Sequence, residues 1–136
     1  MSKRNHVIAT WTGGHAFRGG RPNGLHIDID GDAVKGPGPV DTLLLALASC
    51  TSYDIVEILA KRKTPAESLD IDVVGDRAPE TPAKLTRIHL TYTLKGEGID
   101  REHAERAIDL SINKYCSVKE SLNQNIVFEW TLVLNT

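Results

Sequence analysis

Apolar residues follow two rhythms along this chain. Over residues 36–63 (GPGPVDTLLLALASCTSYDIVEILAKRK) they run almost unbroken from Leu43 to Cys50. They then recur at Ile55, Val56 and Leu59, with Asp54, Glu57 and Lys61 turned elsewhere. A run apolar all round predicts a buried helical half, and the later spacing an amphipathic one. Pro39 suits the first helical position, where its missing N–H is not needed. Asp41 in the first turn and Lys61, Arg62 and Lys63 in the last complement the helix dipole. Glu57 and Lys61 form a favourable i, i+4 pair. Such a helix spans about 36 Å at 1.5 Å per residue, the width of a small domain.

Elsewhere the period is two. Residues 6–11 and 14–18 read as short strands joined at Thr12, Gly13 and Gly14, and residues 19–24 form a second turn. Leu25, Ile27 and Ile29 alternate with His26, Asp28 and Asp30, a strand with one solvated face that closes at Gly31. After the long helix, Leu69, Ile71 and Val73 begin a fourth strand reaching about Arg77, and residues 85–95 form a fifth. Asp100 is a good N-cap for a helix over 101–115 whose apolar stripe is Ala104, Ala107, Ile108 and Ile112. Ser117 and Glu120 have capping-box spacing for a second short helix, to about Asn123. Residues 126–134 form the last strand. The order βββ-α-ββ-αα-β predicts an α+β fold with an antiparallel sheet, one domain over 1–136. One sheet cannot cover a helix apolar on two faces, so we expect an obligate homodimer with the central helices packed together.

Composition narrows the function. The chain has 136 residues, 40% hydrophobic and 25% charged, with a formal net charge of -2. Basic residues are scattered and aromatics few, so nothing directs the chain to nucleic acid or an anionic membrane. No uncharged apolar run reaches about 18 residues, so no membrane span is expected. The N-terminal stretch lacks an apolar signal core, and the expected compartment is the cytoplasm, where thiols stay reduced.

That makes Cys50 and Cys116 the candidate chemistry. Buried free cysteine is often an inert small hydrophobe; the functional alternative is a redox thiol pair. Cys50 is followed by polar Thr51 and Ser52 inside an otherwise apolar stretch. Cys116 falls at a break between helices, where free N–H groups favour a thiolate. Cys50 lies too deep in its helix to feel the dipole, and Asp54 opposes its ionisation. It therefore calls for a cation, with Arg18 and Arg21 as candidates. Neither cysteine has CxxC spacing, which disfavours thioredoxin-like exchange and zinc. The five histidines have no metal spacing. Asp28, Asp30 and Asp32 fail as a calcium loop, since Ala33 stands where glycine is required. They read instead as a solvated strand ending in a turn. Tyr115 reads as core.

The segment PGPVDTLLLALASCTS, followed 66 residues after its cysteine by INKYCSVKESL around the second, resembles the OsmC/Ohr family of osmotically inducible and organic hydroperoxide resistance proteins, in its OsmC-like subgroup. The resemblance covers nearly the whole chain and implies an intertwined α+β homodimer with active sites at the interface. It also implies a thiol-dependent peroxidase for organic hydroperoxides, acting in oxidative stress defence, with no cofactor or metal. Cys50 would attack the O–O bond, Cys116 would resolve the sulfenic acid to a disulfide, and a dithiol reductant would reopen it. In such proteins an arginine of the N-terminal strands holds the thiolate and a glutamate near the helix start holds the arginine. Arg18 and Arg21 both lie in the right region. The glutamate's place is Val40, and the acid stands one position on, at Asp41. That displacement motivates an alternative: a catalytically impaired dimer that binds an apolar small molecule.

Overall fold

The computed structural model describes residues 3–136. It contains six strands and three α-helices. In order these are β1 (Ile8–Gly13), β2 (Ala16–Gly20), β3 (His26–Asp30), α1 (Pro39–Lys61), β4 (Ser68–Arg77), β5 (Leu85–Lys95), α2 (Arg101–Leu110), α3 (Ser117–Glu120) and β6 (Val127–Leu134), with a π-helical turn over Ser111–Tyr115 between α2 and α3. The chain divides into two compact units, one up to Leu43 and one from Leu44 to Thr136, and α1 runs from one into the other.

The first unit is the expected meander. β1, β2 and β3 pair antiparallel in sequence order. Gly13 and Gly14 take positive φ where the register slips past Trp11, an extra-residue turn that glycine makes without strain. Arg18 stands opposite Asp28 across the β2–β3 ladder, and Arg18 Nε donates to Asp28 Oδ1 at 3.0 Å. Two expectations fail here. Asp30 is not on a solvated face: it is buried and accepts the N–H groups of Asp32, Val34 and Lys35. Those bonds, Asp32's foremost, hold its carboxyl below the usual range. The apolar face of the meander is also uncovered within the chain, with Leu25 99% exposed, Trp11 65% and Ile27 57%.

The start of α1 shows what Asp41 does. The Gly38 carbonyl accepts the first helical bond, from Thr42 N–H at 2.9 Å, and Gly38 N–H donates back to Asp41 Oδ2 at 2.9 Å. Asp41 is thus the third-residue half of a capping box, satisfying a donor that the helix leaves orphaned.

The second unit holds the main core. β5 lies between β4 and β6. Its Ile88, Leu90, Tyr92 and Leu94 are fully buried, as strict alternation requires. Against them pack Leu47, Ile55 and Leu59 of α1, Ala104 and Ile108 of α2, and Ile112, Cys116 and Leu132. Tyr92 OH donates to Thr51 Oγ1 at 2.8 Å, and Thr51 Oγ1 donates to the Ala48 carbonyl at 3.1 Å. Thr51 thus joins helix to sheet. The expected all-antiparallel sheet is corrected here: β4 runs antiparallel to β5, but β6 runs parallel to it. The connection through α2 and α3 is long enough for the crossover that a parallel pair needs.

By length and apolar content α1 is long enough to cross a bilayer, which the uninterrupted-run criterion overlooked. Its Leu47, Ile55 and Leu59 are nonetheless packed into the core. The expectation of burial throughout Leu43–Cys50 is only half met, since Leu43 and Leu45 are exposed.

Candidate active site

Cys50 projects from the middle of α1, and Cys116 is the N-cap of α3, where its sulfur accepts the Lys119 N–H at 3.3 Å. The two thiols are free, and each influences the other's ionisation, which places them as neighbours in the fold. Their 66-residue separation in sequence is closed by packing α1 against the α2–α3 region. Cys116 is buried, at 4% exposure, and Cys50 is half-buried.

Local geometry explains how Cys116 reaches this place. α2 is capped by Asp100, whose Oδ1 accepts the Glu102 N–H at 2.8 Å, as expected. It ends at Leu110 rather than continuing to Tyr115. Over Ser111–Tyr115 the helix widens, and Cys116 N–H reaches the Ser111 carbonyl at 2.9 Å, a five-residue closure. Ser111 is fully buried and its hydroxyl donates to the Ala107 carbonyl at 2.8 Å. The π turn expels Tyr115, which is 49% exposed rather than core, and leaves Cys116 facing inward. The cap of α3 is therefore Cys116 and not the Ser117 that its capping-box spacing suggests.

The electrostatics of the two sulfurs differ in sign. Burial works against ionisation of Cys50. The Val118 N–H, the Cys116 thiol, and the hydroxyl and N–H of Ser117 all favour its thiolate and together outweigh burial, so its pKa lies below the ordinary thiol value. Cys116 goes the other way, pushed up to about 11. Burial is the main cause, the Lys119 N–H opposes it, and the Cys50 sulfur adds to it as hydrogen-bond partner and as negative charge. The sequence reading gave these N–H groups to Cys116 and required a guanidinium for Cys50. In the fold the peptide groups at the start of α3 are divided: Lys119 N–H serves Cys116, Val118 N–H acts on both sulfurs, and Ser117 favours the Cys50 thiolate. Tyr92 is pushed up to about 12 by burial, with Thr51 opposing and the Cys116 charge contributing, so it is a phenol at neutral pH.

Of the other candidates, Arg18 is tied to Asp28 on an exposed sheet, and Asp41 caps α1. Arg21 forms no ion pair among the described residues. Within those residues no three His, Cys, Asp or Glu side chains gather as a metal site. Ser117 was assigned only a capping role from sequence. Its position next to Cys116 was visible there, but its approach to Cys50 depends on tertiary packing. Ser52 Oγ is buried with no hydrogen-bond partner among the described residues. It borders an apolar groove of about 440 Å³ with Tyr53, Val56, Leu69 and Ile71.

A βββ-α-ββ-αα-β order, with one thiol on the long helix and the other at the cap of a later one, defines the OsmC type of α+β protein. The chain belongs to the OsmC-like protein family, whose family model matches residues 30–131. It is similar to Protein YhfA of Escherichia coli K12, at 32% identity over 126 residues, covering 90% of this chain and 94% of that protein. Its fold is similar to that of an OsmC-like protein from Mycoplasma pneumoniae, with a TM-score of 0.85 at 19% identity and full coverage of both chains. It is also similar to that of the organic hydroperoxide resistance protein OhrB of Bacillus subtilis. There the TM-score is 0.62 at 17% identity, covering 93% of this chain and 96% of that one.

Proposed function

We propose that the protein is a homodimeric, two-cysteine peroxidase that reduces organic hydroperoxides with electrons from a dithiol. The observation that carries this reading is the unequal thiol pair: a Cys50 whose thiolate is favoured by peptide and hydroxyl donors, beside a Cys116 held as the thiol. The Cys50 thiolate attacks the terminal, hydrogen-bearing oxygen of ROOH; the O–O bond breaks, RO⁻ leaves and takes a proton from water to become ROH, and Cys50 becomes a sulfenic acid. Cys116 then attacks the Cys50 sulfur. Its proton leaves with the hydroxyl as water, and a disulfide forms. Oxidation of Cys50 removes the negative charge that helps keep Cys116 protonated, so the second step is primed by the first. A dithiol restores both thiols in a reducing, cytoplasmic setting.

The exposed apolar residues support the dimer. In the second unit Leu45 and Tyr53 are 57% and 70% exposed, and Ser52 Oγ has no hydrogen-bond partner among the described residues. The first unit bares Trp11, Leu25 and Ile27. A second copy covering these surfaces would form one closed domain per chain, with Arg18 or Arg21 of one copy available to a Cys50 thiolate.

A second reading is favoured by the engagement of Asp41 with Gly38, which commits that carboxylate to capping α1 rather than to holding an arginine. On it, the dimer binds an apolar small molecule and turns over little peroxide. One experiment separates the two. Cumene hydroperoxide and dithiothreitol are supplied to the wild type, Cys50→Ser and Cys116→Ser proteins. The peroxidase reading expects turnover in the wild type, none in Cys50→Ser, and an oxidised intermediate in Cys116→Ser. It is rejected if the wild type consumes no peroxide and Cys50 titrates above about 8.5, the free-thiol value.

A further inference from the structure

We propose that the reductant enters by a cleft behind Cys116 and attacks Cys116 Sγ, not Cys50 Sγ, so that the mixed disulfide forms on Cys116. The proposal rests on the disulfide of the preceding section and assigns the site and direction of its reopening. The cleft is about 250 Å³, and its wall is the π turn and the start of α3, with Asn113, Lys114, Tyr115 and Glu120 around Cys116. Cys50 is not part of that wall. Substitution at a disulfide sulfur is in line: the entering thiolate approaches along the S–S axis from the side away from the sulfur that leaves. Because Cys116 and not Cys50 borders this cleft, a nucleophile entering it comes from the Cys116 side of the sulfur pair, with Cys50 as the leaving group. Lys114 at its rim attracts an entering thiolate.

The chemistry favours the same direction. In thiol–disulfide exchange the sulfur of lower thiol pKa leaves faster. Cys50 has the lowered value, and Cys116 is pushed up to about 11. Attack on Cys116 therefore expels the stabilised Cys50 thiolate into the N–H groups of Ser117 and Val118, whereas attack on Cys50 would expel the poorer leaving group. The thiolate R–S⁻ bonds to Cys116 Sγ, the Cys50–Cys116 bond breaks, and Cys50 takes the electron pair. The second thiol of the dithiol then attacks its own sulfur in the mixed disulfide, and Cys116 leaves and takes up a proton. The reductant is oxidised by two electrons and the peroxidatic Cys50 is ready for the next hydroperoxide. The two substrates thus approach opposite ends of the sulfur pair.

The test uses the full chain and does not depend on peroxide turnover. Diamide joins the two sulfurs, glutathione is added for milliseconds, acid stops exchange, and free thiols are alkylated before peptide mapping. The expected result is glutathione on Cys116 and alkylation on Cys50, in at least about tenfold excess over the reverse. Equal adducts, or a majority on Cys50, overturn the proposal while leaving the peroxidase reading intact. Failure of diamide to join the sulfurs overturns it as well. As a second measurement, Asn113→Trp at the exposed cleft wall should slow reduction of the disulfide by glutathione several-fold. An unchanged rate rules out this route.

Discussion

Replacing Cys50 by serine should lower the pKa of Cys116. In the wild type that thiol is displaced from 9.0 to about 11. The gap is worth roughly 3 kcal/mol of preference for thiol over thiolate, at about 1.4 kcal/mol per tenfold change in equilibrium. Burial is the largest cause and stays in the variant. The charge on the Cys50 sulfur goes, and the serine hydroxyl replaces a partner that ionises with one that does not. Cys116 should therefore titrate below its wild-type value and still above 9.0, the value without the fold's influence. The assay is ultraviolet thiolate absorbance against pH. The wild type gives two macroscopic steps that belong to the coupled pair, and Cys50→Ser gives one. A single step at or above the upper wild-type step would refute the claim that the Cys50 charge holds Cys116 protonated.

The same displacement has a consequence for stability. A pKa raised by folding means that the native state holds its proton longer than the unfolded chain. The stabilisation is complete below the unfolded value of 9.0 and is lost as pH rises to about 11. Urea unfolding should lose up to roughly 3 kcal/mol across that window. Cys116→Ala should flatten the decline even if it is less stable at every pH. Tyr92, pushed up to about 12, adds its own decline at higher pH, and part of that shift depends on the Cys116 charge.

Ser117→Ala should raise the pKa of Cys50, read as a slower reaction with an alkylating reagent at neutral pH, because it removes one of the donors favouring the thiolate. An unchanged rate–pH profile would show that the Ser117 hydroxyl does not face the sulfur. Asp100→Ala should cost about 1 kcal/mol of stability, the usual worth of an N-cap, with the thiol titration untouched. Deleting Asn113 should convert the π turn to α-helix and rotate Cys116 by about 100° around its axis. Diamide should then no longer join the sulfurs, while far-ultraviolet dichroism keeps its helical signal; cross-linking at the wild-type rate would mean that the turn does not set the sulfur's direction.

Wherever a pattern had only one physical meaning, it was readable from the residues. β5 spans Leu85–Lys95 with its apolar set buried, because alternation admits one buried face. Asp100 caps α2 because its neighbours carry the stripe of Ala104, Ala107 and Ile108. Alternation says nothing about a neighbour's direction, and so the parallel pairing of β6 was not visible. Composition also cannot tell a face covered within the chain from one left for a second copy. Leu25 and Ile27 have the pattern of a core strand and yet lie exposed. The acid at Asp41 was legible as a helix-start residue; its capping of Gly38, rather than a role towards an arginine, appears only in the fold.

The thiol pair shows why the site was harder than the fold. Both cysteines could be named, but which was favoured as a thiolate depended on peptide groups distant in sequence from Cys50. Ser117 and Val118 follow Cys116 directly, so local reasoning assigns their N–H groups to it. One additional residue in the turn before Cys116 changes that. The five-residue closure onto Ser111 directs the sulfur inward and makes it the cap of α3, satisfied by Lys119. The N–H groups of Ser117 and Val118 then also act on the sulfur that α1 brings alongside. The inequality of the two thiols thus comes from the deeper burial of Cys116 and from N–H and hydroxyl donors brought to Cys50 by the fold, and a sequence pattern does not register either.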